Sequence, residues 1–177
     1  MKELNLPNTL TIFRILALPF CAYALFKNGG EDDSWRIIAF TLFFIVGLSD
    51  ILDGKIARSR NQITEFGKLL DPIADKAMLA TASISASLLG MLSWWVTAIF
   101  LIREIAVTIL RFAVIKNGVI PASKGAKLKT FFQNFSVGFY ILPLPSYLNL
   151  PRDLFTAVAV YLTITTGVDY FRKVLRK

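Results

Sequence analysis

Histidine is absent from this chain of 177 residues, and cysteine occurs only once, as Cys21. The lack of histidine excludes imidazole metal ligands and histidine acid–base chemistry, and a single cysteine excludes an intrachain disulfide framework. Polar residues are too few for a soluble domain of this length, because 55% of the residues are hydrophobic and the mean hydropathy is +0.57. A soluble surface has to be solvated and would lower that average. The composition therefore predicts an integral membrane protein.

The net charge is +8, which by itself would also be compatible with nucleic-acid binding. The chain has no basic stripe on a soluble fold, however, and its bases lie in the connections between apolar runs. In membrane proteins such bases mark cytoplasmic loops and sites near anionic head groups. We therefore expect a lipid bilayer as a partner and no nucleic acid.

Six apolar segments follow one another from end to end, and apolar runs of about 18 residues or more are typical of membrane spans. The prediction is an all-α integral membrane protein of six transmembrane helices, with residues 1–177 forming a single membrane domain. The segments are Thr9–Phe26, Trp35–Arg58, Phe66–Leu89, Leu92–Ile115, Lys127–Leu144 and Leu154–Phe171.

The charges in the connections alternate along the chain. The loop Lys27–Arg36 has two bases and three acids, whereas Lys55–Lys68 has four bases and one acid. The fourth connection and the C-terminal tail carry bases without acids. The positive-inside rule then places the second and fourth loops and both termini in the cytoplasm. We expect a multi-pass protein of the plasma or inner membrane.

Two acids, Asp50 and Asp53, end the apolar run RIIAFTLFFIVGLS, although each acid near a bilayer centre costs roughly 2.5–3.5 kcal/mol on insertion scales. At about 100° per residue, both acids share one helical stripe with Gly54, Ala57 and Arg58. The small residues leave room on this stripe for a ligand or a backbone to approach. The stripe is therefore expected to face a polar cavity.

The next helix repeats the pattern, with Gly67, Asp71 and Asp75 spaced by four. Two helices joined by a short loop bring the four carboxylates to the cytoplasmic end of one crevice. Because four unpaired anions cannot share such a site, and hard oxygen ligands suit Mg²⁺ or Mn²⁺, we expect bound divalent cations. Four carboxylates can hold two ions about 3.5–4 Å apart, an arrangement suited to activated phosphate esters.

Two other interpretations of the acids stay open. The acids could cap helices or pair with Arg58, Lys68 and Lys76, or they could form the cation site of a small transporter. The transporter is disfavoured because the acids lie near one membrane face and few polar residues continue a path across.

The stretch DILDGKIARSRNQITEFGKLLDPIAD resembles the signature of the CDP-alcohol phosphatidyltransferase family. That signature is Asp, two residues, Asp-Gly, two, Ala-Arg, eight, Gly, three, Asp, three, Asp. The positions that meet it are Asp50, Asp53, Gly54, Ala57, Arg58, Gly67, Asp71 and Asp75. The six-segment organisation is also similar, so the resemblance covers essentially the whole chain.

The resemblance implies six transmembrane helices, usually in a homodimer, around a polar metal-binding cavity that opens to the cytoplasm. It implies two divalent ions held by the four aspartates, a CDP-linked lipid donor and CMP as by-product. Asp75 matches the proposed general base. The residues that match the CDP-diacylglycerol site are Gly54, Ala57, Arg58, Thr64 and Gly67, and PNTLTIFR adds Asn8 and Thr11 by similarity to the family's entry into its first helix. For Asn8 and Thr11 an ordinary helix N-cap is an equal alternative.

Basic residues near the fourth connection indicate an acceptor that carries its own phosphate. REIAVTILR places Glu104, Thr108 and Arg111 on one stripe with Arg103 beside it, and SKGAKLKTFFQ adds Lys127 and Lys129. Of these residues, the predicted ligands of the acceptor phosphate are Arg103, Arg111, Lys127 and Lys129. An internal ion pair that braces the helix is the alternative for Arg103, Glu104 and Arg111.

The pattern Arg-Glu, then Thr and Arg, then Lys-x-Lys-Thr and Gln resembles the members of the family that use glycerol-3-phosphate. Ala126 departs from that pattern, in which Gly commonly precedes the first Lys. Inositol phosphate as acceptor, or phosphatidylglycerol as in a cardiolipin synthase, remains an alternative.

Overall fold

The computed structural model describes residues 6–59, 65–114 and 124–175, which form six α-helices and no strand. The helices are α1 (Leu6–Phe26), α2 (Asp33–Ser59), α3 (Glu65–Leu88), α4 (Trp94–Val114), α5 (Lys124–Ile141) and α6 (Asn149–Leu175). Short 3₁₀ turns lie at Lys27–Gly30 and Ser146–Leu148. The prediction of six helical segments is confirmed for this part of the chain.

The largest differences from the predicted bounds lie around α5 and α6. Helix α5 ends at Ile141, three residues before the predicted end, because Pro143 disfavours the helical conformation of the residue before it. Helix α6 begins at Asn149, five residues before the predicted start, with Pro151 in its first turn. Proline is tolerated there because the first backbone N–H groups of a helix have no partner within it.

Pro72 lies inside α3 and does not begin it, since the helix starts at Glu65. Without an N–H at that position, the fourth preceding carbonyl loses its helical partner. Pro72 therefore interrupts the backbone hydrogen bonding within α3 and does not start a helix.

Helix α3 is central to the packing, with α1, α4 and α5 against it and α2 in lighter contact. It presents small buried residues, among them Ala74, Ser83 and Ala86, so that neighbouring backbones can approach closely. Helix α6 packs on α5 and α4, and α1 packs on α2. The apolar core between them includes Leu25, Phe100 and other fully buried side chains.

Besides the apolar core, many large apolar side chains are exposed and several polar side chains are buried. Large apolar side chains face outward along α1, α2, α4 and α6, as Phe13, Ile105 and Tyr161 illustrate. Polar side chains such as Gln133 and Thr163 are fully buried. In the described part of the chain, Asn8–Gly30 and Ser146–Leu175 are long and apolar enough to be candidate membrane spans. The other four predicted spans stay predictions.

Helix α3 ends in a tight turn, and its connection to α4 is short. Gly90 adopts φ +70° after α3, the Met91 N–H donates to the Ala86 carbonyl at 2.9 Å, and the Gly90 N–H donates to Ser87 at 3.1 Å. This is a Schellman motif, which requires the left-handed conformation that glycine adopts readily. The next helix, α4, therefore returns beside α3 after only a few residues.

Side chains satisfy two further helix ends. Asp32 Oδ1 accepts the backbone N–H groups of Ser34 and Trp35 at 2.9 and 3.2 Å, and the bond from Trp35 lowers the pKa of this carboxyl. Arg36 reaches across from α2 and donates to the carbonyls of Tyr140, Ile141 and Leu142 at 2.9–3.2 Å. These carbonyls lie at the C-terminus of α5, where the last turn has no helical donors.

Candidate active site

One face of α1 is polar although it is buried. Asn8, Thr11 and Arg14 follow at intervals of three, and each is at most 3% exposed. This spacing places the three side chains on one helical face, which α1 turns toward the interior of the bundle. A buried arginine in such an apolar helix needs a partner that offsets the cost of removing its charge from water.

The partner lies on α3, where Asp71 and Asp75 project from successive turns. Thr11 Oγ1 donates to Asp71 Oδ1 at 2.9 Å, and Arg14 Nη1 donates to Asp75 Oδ1 at 3.2 Å. The Asp75 side chain is 52% exposed while that of Arg14 is 1% exposed. Helix α1 therefore holds both acids from the buried side, and the Asp75 side chain stays half-exposed. Gly67, one turn before Asp71, is buried.

Among the residues that the structure describes, Lys76 forms no ion pair with the acids of α3. Its Nζ donates to the Pro72 carbonyl at 3.3 Å, within α3. The acid next to it, Asp75, pairs with Arg14 of α1 instead. The other two proposed partners, Arg58 and Lys68, have side chains outside the described part of the chain.

Helix α2 continues unbroken to Ser59, so positions 50, 53, 54, 57 and 58 lie on consecutive turns of one helix. The side chains of Asp50, Asp53, Ala57 and Arg58 lie outside the described part of the chain, and so does Thr64. Among the residues that the structure describes, no group of three or more acids, histidines or cysteines could hold a metal ion.

The described half of the predicted metal site nevertheless suits a hard cation. Asp71 and Asp75 offer carboxylate oxygens from one face of α3, and Asp75 is accessible. Carboxylate oxygens are the ligands that Mg²⁺ and Mn²⁺ prefer in proteins. The two acids therefore fit a divalent cation, and Asp50 and Asp53 remain predicted ligands.

A second charged cluster connects α4, α5 and α6, and we call it the Glu104 cluster. Glu104 Oε1 accepts from both Arg103 Nη1, at 3.0 Å, and Lys129 Nζ. Arg103 Nη2 also donates to Thr166 Oγ1 of α6 at 3.2 Å. The side chains of Arg103, Glu104 and Lys129 are 12%, 16% and 3% exposed. Two bases share one acid, so the cluster has one positive charge in excess.

The two remaining predicted phosphate ligands differ from this cluster. Arg111 and Lys127 are exposed, and neither has a hydrogen bond or ion pair within the described ranges. Lys127 and Thr130 are exposed on α5, whereas Lys129 and Gln133 are buried, so the two pairs lie on different faces of the helix. Arg111 and Lys127 are thus available to a soluble anion, while Arg103 and Lys129 are engaged by Glu104.

Several residues of these clusters were not among the predicted site residues. Arg14 could have been found from its phase with Asn8 and Thr11 in an apolar helix, although its partner Asp75 is 61 residues away. Glu104 was noticed as part of a stripe, but its pairing with Lys129 depends on how α4 and α5 pack. Thr108, on the same stripe, donates to the backbone carbonyl of Glu104 at 2.6 Å. No pattern in the sequence indicated Thr166.

Comparison with known proteins gives consistent matches over the whole fold. Residues 4–168 match the family model described as CDP-alcohol phosphatidyltransferase. The chain is 46% identical over 172 residues to a "Probable phosphatidylglycerophosphate synthase" of Mycobacterium tuberculosis, covering 97% of this chain and 82% of that protein.

Two further relatives carry the name "CDP-diacylglycerol--glycerol-3-phosphate 3-phosphatidyltransferase". The one from Rickettsia typhi is 35% identical over 173 residues, covering 95% of this chain and 96% of the relative. The one from Bacillus subtilis is 34% identical over 182 residues, covering 96% of this chain and 94% of the relative.

Proposed function

Because the chain belongs to the CDP-alcohol phosphatidyltransferase family, we propose that it transfers the phosphatidyl group of CDP-diacylglycerol to sn-glycerol-3-phosphate. The products are phosphatidylglycerophosphate and CMP, and the reaction belongs to phospholipid biosynthesis. The observation that carries this proposal is the match over nearly the full length to relatives named for that transfer.

The chemistry is a substitution at phosphorus. The primary hydroxyl oxygen of the acceptor attacks the phosphorus attached to the diacylglycerol, and the bond from that phosphorus to the bridging oxygen of CMP breaks. Asp75 takes the hydroxyl proton as general base. Its half-exposed carboxylate, held by Arg14, supports this role because a base must be both accessible and oriented.

The donor site combines α1, α2 and α3. The four aspartates would hold two divalent cations, Mg²⁺ or Mn²⁺, through Asp50, Asp53, Asp71 and Asp75. When bound, such ions polarise the pyrophosphate and offset the charge on departing CMP. The residues assigned to the cytidine diphosphate and its approach are Asn8, Thr11, Gly54, Ala57, Arg58, Thr64 and Gly67. The hydrogen bond from Thr11 to Asp71 supports a single site for the cytidine diphosphate and the cations, because it connects the predicted donor face of α1 to the acids of α3.

The acceptor site lies around the end of α4 and the start of α5. Arg111 and Lys127 bind the acceptor phosphate directly, and their exposure without partners among the described residues supports this role. Arg103 and Lys129 contribute positive potential from the Glu104 cluster, which has one excess positive charge. Several basic side chains in one region suit a phosphate monoester.

The proposed topology follows from the substrates. Six membrane spans with both termini in the cytoplasm let the diacyl tails stay in the plasma or inner membrane while glycerol-3-phosphate enters from the cytoplasm. The outward apolar faces of α1, α2, α4 and α6 support this arrangement. A homodimer completes the proposed assembly.

The experiment uses the purified protein in lipid with CDP-diacylglycerol and Mg²⁺, and it follows CMP release as each acceptor is added. Release with glycerol-3-phosphate that EDTA abolishes is the expected result. Release only with inositol phosphate or phosphatidylglycerol would overturn the acceptor assignment and keep the reaction type. No release with any acceptor, from protein shown to be folded, would contradict the proposed function.

A further inference from the structure

We infer that Glu104 is the positioning residue of the acceptor site: it holds Arg103 of α4 and Lys129 of α5 side by side on one carboxylate oxygen, so that the excess positive charge of the Glu104 cluster attracts one phosphate-bearing acceptor. This inference rests on the proposed function, since it describes how the acceptor subsite is built. Glu104 acts through the two bases and is not assigned contact with the acceptor.

The first observation is that both bases reach the same atom, Glu104 Oε1. Arg103 and Lys129 are almost entirely withdrawn from solvent, so without the carboxylate they would repel each other at close range. Water could not screen that repulsion well. Glu104 is therefore the group that allows two cations to occupy neighbouring positions.

The second observation is that α6 fixes the other side of Arg103. Thr166 Oγ1 accepts from Arg103 Nη2, and Gly167 lies next to the arginine stem. A Cβ added at Gly167 would come within 3.2 Å of Arg103 Cγ and 3.9 Å of its Nε. The missing side chain at position 167 thus leaves the space that lets Arg103 reach Glu104 and Thr166 together.

The third observation is the location of the cluster relative to the exposed bases. Arg111 is seven residues after Glu104 on α4, about 10 Å along the helix. Lys127 is two residues before Lys129 on α5. The buried and the exposed bases therefore lie toward the same end of the bundle, with the buried pair deeper in it.

The experiment measures CMP release in vesicles while glycerol-3-phosphate and CDP-diacylglycerol are varied separately. Gly167→Ala is the central variant because the higher helix propensity of alanine offsets part of the cost of displacing Arg103, so the variant should still fold. It should push Arg103 aside and raise KM for glycerol-3-phosphate about tenfold, because the positive charge of Arg103 is then displaced from the acceptor phosphate. The KM for CDP-diacylglycerol and kcat should stay within about twofold.

Gly138→Ala is the matched control. A Cβ at position 138 would come within 3.0 Å of Phe40 Cε2, so the crowding is comparable but falls on an aromatic ring away from the bases. This variant should leave both KM values unchanged.

Glu104→Gln tests the residue itself, and a double variant protects the result against misfolding. Glu104→Gln leaves two buried bases without their acid and should lower stability as well as acceptor affinity. Adding Lys129→Met removes the repulsion but leaves Arg103 buried without an acid, so the double variant should regain part of its thermal stability while KM for the acceptor stays raised at least tenfold.

The outcomes separate the inference from the proposed function. Wild-type protein that releases no CMP with glycerol-3-phosphate would refute the proposed function and the inference that rests on it. Active wild type with an unchanged acceptor KM in both Gly167→Ala and the double variant would refute only the inference. In that case the Glu104 cluster would hold the helices together without a part in acceptor binding.

Discussion

The two charged clusters of the molecule have opposite compositions. Between α1 and α3, two acids accept from one threonine and one arginine, and the more accessible of the two partners in the ion pair is the acid Asp75. In the Glu104 cluster two bases share one acid, and exposed bases lie beyond them. An acidic site suits cations with a pyrophosphate, whereas a basic site suits a free phosphate monoester. The difference supports the proposal that donor and acceptor are bound by separate sets of helices.

The largest expected effect is that of Asp75→Asn, which removes the proposed base and keeps the shape of the side chain. CMP release should fall by about 10²- to 10⁴-fold, the usual contribution of a positioned base. Binding of CDP-diacylglycerol, measured directly by titration, should largely persist. Activity close to that of the wild type would refute the assignment of the base.

Arg14→Met should have the next largest effect because it removes the group that orients Asp75. We expect kcat to fall by about 10- to 100-fold, since a shift of about 1 Å in a reacting group can cost that much. The KM for glycerol-3-phosphate should change little. Arg14→Lys keeps the charge without the guanidinium geometry and should recover only part of the activity. A normal kcat in Arg14→Met would show that Asp75 needs no such support.

Arg111→Ala should act on the acceptor alone. Loss of an exposed phosphate ligand is expected to raise KM for glycerol-3-phosphate about tenfold with kcat nearly unchanged. Lys173→Ala is the control, because Lys173 is an exposed base in the last turn of α6. If Arg111→Ala has the same KM for glycerol-3-phosphate as Lys173→Ala, Arg111 does not bind the acceptor and has only a structural role.

The smallest kinetic effects are expected for variants in the turns after α1 and α3, which belong to neither cluster. Gly90→Ala forces an alanine into φ +70° with open space around its Cβ and should cost about 1–2 kcal/mol of stability. Gly30→Ala should cost more, because its Cβ would also come within 2.9 Å of Leu89 Cδ1 and Met91 Cε. Thermal unfolding measures both costs. A changed KM in either variant would mean that a loss of stability alone can alter KM, so that the KM changes of the cluster variants could not be assigned to the clusters.

Much of the fold could be predicted because apolar runs and punctuating residues are local properties of the sequence. Helices α3 and α4 begin and end within two residues of the predicted segments. The first turn of α6 was missed because Asn149, Leu150 and Pro151 resemble a loop, although proline suits that position.

The site was less predictable because its pairings cross between helices. The spacing of Asp71 and Asp75 located the acids, but no pattern within α3 indicates that Arg14 pairs with Asp75 across 61 residues. Similarly, the stripe on α4 identified Glu104 as a neighbour of Arg103 and gave no sign of its bond to Lys129. Helical spacing predicts which residues share a face, and tertiary packing decides what that face contacts.

The most direct test of the division between donor and acceptor sites is to measure KM for both substrates in Arg14→Met and Arg111→Ala side by side. The proposed arrangement predicts that only Arg111→Ala raises KM for glycerol-3-phosphate, and that Arg14→Met lowers kcat instead. A similar rise of that KM in both variants, or a raised KM for CDP-diacylglycerol in Arg111→Ala, would contradict separate sites.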